Sequence, residues 1–180
     1  MRRCAPVVLL AAGLAFAAGC TASSAPGWRT YRQPPGPMRL SFRYPASWQL
    51  GGHAFVSGGG VGGVELATGM SGSLEDMMST DCARRGAVLG ASGIDVTWSE
   101  TEGADMDTKI TQIPGEDARV NGHPARWSEQ ASTICFKGRI VIGAVQLAPR
   151  NFVYMHADVG SAVPDTKVAT LHLIFNSIRE

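Results

Sequence analysis

Charge and aromatic side chains are both scarce in this chain. Only 17% of its residues are charged and 7% aromatic, and its basic residues are almost all arginine, with lysine at positions 109, 137 and 167 alone. The formal net charge is +1, and without Arg2 and Arg3 the remainder carries about −1. No basic excess is left to neutralise phosphates along a duplex, which argues against a nucleic-acid partner. Metal-ligand spacing is missing too, since neither H-E-x-x-H nor C-x-x-C occurs, and no zinc site is expected. No serine is followed three residues later by lysine, and "GMSGS" and "GASG" lack the glycine that a nucleophile elbow needs.

One long apolar run is present, from Ala5 to Gly19, behind Arg2 and Arg3. It is too short to cross a hydrocarbon core of ~30 Å comfortably and it ends in small residues, which is the pattern of a secretory signal peptide over residues 1–19. Ala15-Phe16-Ala17 fits a cleavage site after Ala17. Ala17-Ala18-Gly19-Cys20 instead resembles the lipobox of bacterial lipoproteins, with Ala17 where leucine is usual. Cysteine parity favours the second. Cys4 leaves with the leader, and Cys20, Cys82 and Cys135 remain, an odd number for an exported chain. Acylation of Cys20 accounts for the odd thiol and leaves Cys82 and Cys135 to form a disulfide in an oxidising compartment. The expected location is the extracytoplasmic face of a bacterial cell membrane, held through the lipid.

Residues 20–37 are rich in Pro, Gly and Ser and read as the lipidated terminus and a flexible linker. Trp28 and Tyr31 alternate there with Arg29 and Arg32, a mixture suited to an anionic membrane interface or to a solvated tether. The domain proper is expected over residues 38–180, and the chain as a whole, 44% hydrophobic, is rich enough for a packed core.

Leu40, Phe42 and Tyr44 alternate with polar residues as a strand that stops at Pro45. Further strands are expected at 54–56, 63–68 and 94–99, and a helix over 73–86 whose Leu74, Met78 and Cys82 share an inward face. Asn121-Gly122 is the strongest hairpin signal. "RIVIGAVQL" (139–147) is apolar on both faces and belongs inside a sheet covered on both sides. "NFVYMHADV" follows, with Phe152, Tyr154 and His156 projecting together, a possible binding face unless a helix covers it. The closing "PDTKVATLHLIFNSIRE" repeats Val168, Leu171, Phe175 and Ile178 at helical spacing. Hairpins dominate and strict βαβ alternation is absent, so the class is α+β, a mainly antiparallel sheet with flanking helices.

"LSFRYPASWQL", "VNGHPARW" and the closing "IFNSIRE" together resemble the PsbP-like family, and more narrowly the LpqN-type actinobacterial lipoproteins, over about residues 38–180. The resemblance implies an α-β-α sandwich that acts as an accessory or binding module of the cell envelope. It implies no catalytic residues and no cofactor.

Other chemistry is thin. Gly58–Gly63 matches G-x-G-x-x-G, but it leads into a strand where a dinucleotide loop must open a helix. His53, His123, His156 and His172 could each supply a base, yet His123 sits at a hairpin and His172 beside a packing stripe. Glu100, Glu102, Asp105 and Asp107 lack the order of a calcium loop. The expectation is a non-enzymatic, monomeric module that binds an envelope protein, lipid or glycan, with neither metal nor cofactor. A membrane-tethered hydrolase is the alternative.

Overall fold

The computed structural model describes residues 27–33, 40–53, 60–77, 80–102, 110–132, 135–149 and 151–180. Among them a two-stranded ribbon pairs β1 (Trp28–Arg32) with β2 (Ser41–Pro45). A seven-stranded antiparallel sheet contains β3 (Gln49–His53), β4 (Gly60–Thr68), β5 (Ile94–Glu102), β6 (Glu116–Val120), β7 (His123–Ser132), β8 (Gly138–Ala148) and β9 (Asn151–Gly160). Its spatial order is β3-β4-β5-β9-β8-β7-β6. Two meanders therefore meet where β5 lies against β9. The helices are α1 (Leu74–Met77) and α2 (Cys82–Leu89), between β4 and β5, and α3 (Asp165–Asn176), after β9. The α+β class and the mainly antiparallel sheet are as expected. No described helix is long and apolar enough to cross a membrane.

Period-two alternation sorts the strand residues onto two faces. Cross-strand register puts Val64, Leu66, Ile94, Val96, Trp98, Met155, Ala157, Val141 and Val145 on one face, and all are buried in the main core. α3 covers one half of that face with Val168, Leu171, Ile174 and Phe175, each worth roughly 1.5–3 kcal/mol as an upper bound for burial. Gly143 makes this close approach possible, because a Cβ there would stand 2.5 Å from Phe175 Cε2. The ribbon covers the other half, with Phe42 stacked on Trp98 at 4.8 Å between ring centroids and Tyr31 on Phe42 at 5.0 Å.

Asn121 and Gly122 both take positive φ (49° and 88°) in the β6–β7 turn, the backbone that a two-residue hairpin of right-handed twist requires. Asn121 Nδ2 also donates to the carbonyl of Ile178, tying the turn to the chain after α3.

Two expectations change. The helix foreseen over 73–86 is two short helices. Asp81 caps a new start by accepting from the Ala83 and Arg84 amides, so Leu74 and Cys82 do not share one stripe, and Cys82 is exposed. Met78 lies outside the described residues. Trp28–Arg32, in the stretch read as linker, is a strand, because pairing with β2 satisfies its backbone whatever its side-chain period. A strand at Gln49–His53 is additional to those expected, and the strand expected at 54–56 lies outside the described residues, as do the leader and Cys20.

Candidate functional site

The opposite face of the sheet is covered unevenly, and β9 shows this residue by residue. Phe152 is fully buried beneath the 3₁₀ turn Ile110–Gln112, in a small cluster with Ile110, Ile113 and Ala144. Tyr154 packs at the margin of that cluster, half-buried, and burial raises its phenol above the ordinary value. His156 is open, its side chain 47% exposed. Asp158 is buried again, under α2. Of the three residues foreseen as one binding face, Phe152 is thus closed off by the turn, and only Tyr154 and His156 reach the surface.

The register extends the opening sideways. Thr97 on β5, His156 on β9, Ile142 on β8 and Ser128 on β7 are cross-strand partners in one row, and none of them is buried. At ~4.8 Å per strand this row is about 14 Å wide. Ser99 and Tyr154 form its next partly open step. The expectation of helical cover over both faces of β8 is met only in part, since Ile140 and Ile142 stay half-buried.

One edge of the strip is a cluster of acids that strand alternation alone does not single out. Asp158 Oδ1 accepts from His156 Nε2 at 3.1 Å, and its Oδ2 accepts from Arg85 Nη2 at 2.9 Å. Asp95 lies directly across from Asp158, and Glu65 lies diagonally across from Asp95 on β4. All three carboxyls are buried. Burial first, then Glu65 and Asp158, push the Asp95 carboxyl up to about 9, while Arg85 pulls the other way. Asp95 therefore keeps its proton at neutral pH and shares it with Glu65. The available signal was the lone acid in each of "GVELAT", "IDVTWS" and "NFVYMHADV", on the face away from the apolar rows.

Chemically, a buried carboxylate that fixes an exposed imidazole is the orienting half of a general-base pair. Among the described residues no serine hydroxyl is hydrogen-bonded to a histidine, and no three His, Cys, Asp or Glu side chains converge as metal ligands. His172 stacks on Trp127 at 3.7 Å, and loss of water there lowers its pKa. His123 is half-buried at the start of β7, beside its hairpin. Asp105, Asp107 and residues 58–59 of the glycine run lie outside the described set.

The Cys82 and Cys135 sulfurs lie 2.06 Å apart, at disulfide distance. They tie the start of α2 to the segment that leads into β8, beside an open pocket of about 300 Å³ lined by Ala83, Gly86, Gly90, Phe136 and Lys137. α2 carries Arg85, so the bridge also steadies the cation over Asp158. The chain matches no family model, no curated protein and no solved structure.

Proposed function

We propose that the chain is an envelope lipoprotein, anchored through acylated Cys20 to the extracytoplasmic face of a bacterial membrane, with a non-enzymatic binding domain. The architecture reads as a PsbP-like α-β-α sandwich of the LpqN type, with α3 and the ribbon on one face and α1 and α2 on the other. The occupant of the domain is an envelope protein, lipid or glycan. One observation carries this reading: the uncovered row Thr97–His156–Ile142–Ser128, which mixes apolar, hydroxyl and imidazole groups on a rigid sheet. The Cys82–Cys135 bond, at an exposed helix start, supports an oxidising compartment.

Photo-crosslinking in intact cells tests it, with the reactive side chain placed at Ser128 and, as control, at Leu173, which is 58% exposed on α3. A defined envelope adduct from position 128 and none from 173 supports the reading. Equal capture at both positions removes the strip as a site. A Cys20→Ala protein that stays in the membrane fraction through a high-salt wash removes the anchor.

The hydrolase reading rests on His156 being held by buried Asp158. Turnover of an ester by the purified protein that disappears in His156→Gln would favour it over the binding module.

A further inference from the structure

We propose that the outer surface of the β1–β2 ribbon is a membrane-docking surface for anionic lipid headgroups. Alternation turns Phe42 and Tyr44 into the core and leaves Thr30, Arg32, Ser41, Arg43 and Pro45 on the outer side, together with Trp28, which is half-buried with part of its side chain packed against the core. Register stacks them in rows: Arg32 opposite Ser41, Thr30 opposite Arg43, Trp28 opposite Pro45. The C-terminal segment widens the first row. Ser41 and Arg179 exchange both backbone hydrogen bonds at 2.8 Å, which sets Arg179 beside Ser41 on the same side. Arg32, Arg43 and Arg179 are all exposed, and no described acid forms an ion pair with them. Glu180 follows Arg179 in the chain.

Arg43 sits over the Trp28 ring, 5.7 Å from its centroid. An indole beside guanidinium groups is the pairing that settles at a headgroup boundary, with the ring at the interface and the cations on phosphate. The tether supplies the remaining argument, and for this it rests on the anchored reading above. Only residues 21–27 separate Cys20 from Trp28, so even fully extended the ribbon lies within about 30 Å of the acylated cysteine. The ribbon covers the sheet face opposite His156. Docked this way, the domain turns the Thr97–His156–Ile142–Ser128 row away from the bilayer.

Cosedimentation with vesicles tests the surface, using exported Cys20→Ser protein so that no acyl group contributes. With about one-third phosphatidylglycerol in phosphatidylcholine, the protein binds, and binding weakens as salt rises. Arg32→Gln/Arg43→Gln/Arg179→Gln lowers the partition coefficient at least about tenfold. The control Arg119→Gln/Lys137→Gln/Lys167→Gln, which removes three exposed cations elsewhere, leaves it unchanged. Trp48, Trp98 and Trp127 are buried, so the blue shift on binding comes from Trp28 and is absent in Trp28→Phe. Equal binding by both triple variants, or none by the parent protein, overturns the proposal; near-ultraviolet dichroism checks that each variant is folded. The intact mass of the wild-type protein reads acylation of Cys20 independently. An unacylated Cys20 with arginine-dependent binding sinks the anchor and spares the surface, and the converse result does the reverse.

Discussion

Asp95 and Asp158 are direct cross-strand partners at the middle of the sheet, and both side chains are buried. Like charges in that position destabilise a sheet. The pair persists because Asp158 takes hydrogen bonds from Arg85 and His156 while Asp95 stays protonated against Glu65.

Asp95 makes stability depend on pH. An unperturbed aspartate loses its proton near 3.8 and folded Asp95 near 9, so the folded state binds that proton more tightly. The stability it contributes is complete below about 3.8, shrinks as pH rises, and is gone above about 9. Asp95→Asn, neutral at every pH, matches the wild type at pH 4 and exceeds it at pH 8, on the order of 2 kcal/mol. Urea denaturation at the two pH values measures this, and the same offset at both would contradict it.

Arg85 compensates a buried carboxylate from the solvent edge, with 34% of its own side chain exposed against 4% for Asp158. Arg85→Met leaves Asp158 with His156 alone and costs about 2–4 kcal/mol. Adding Asp158→Asn to that variant recovers most of the loss. A double variant no more stable than Arg85→Met would mean that the arginine acts through packing and not charge.

The Cys82–Cys135 bond spans a sequence separation of 53 residues. Its removal in Cys82→Ser/Cys135→Ser costs about 2–4 kcal/mol, and dithiothreitol lowers the melting temperature of the wild type but not of the variant. Melting curves with and without reductant decide the matter.

Gly143→Ala sets a methyl group against the Phe175 ring and costs about 1–3 kcal/mol by overpacking. Phe175→Leu in the same chain relieves part of that cost. Strict additivity of the two substitutions in a double-mutant cycle would show that they do not meet.

Much of the fold was legible. Phe42/Tyr44 and Ile94/Val96/Trp98 alternate in β2 and β5, with Leu40 buried just before β2, Asn121-Gly122 forms its turn, and the Val168–Phe175 stripe forms α3. The site was less so. Period two assigns Phe152, Tyr154, His156 and Asp158 to one face, but their exposure depends on where the 3₁₀ turn and α2 come to rest, which is a tertiary matter. Glu65, Asp95 and Asp158 carry no mark of burial in the sequence for the same reason, since nothing local announces that Arg85 of α2 comes to lie on Asp158. The break before α2 is carried by Asp81, a capping residue inside what scans as one amphipathic stripe.

The meeting of β5 with β9 also governs how the chain is completed in time. Each meander zips from sequence neighbours, whereas joining Ile94 to Val159 must close the whole of residues 103–150 between the two strands. A chain emerging from its N-terminus therefore carries β5 with one edge unpaired until β9 (Asn151–Gly160) arrives. Through that interval the open edge of β5 is a template on which the β9 of a second copy can dock. Intermolecular strand exchange at this seam is the characteristic way for this fold to go wrong.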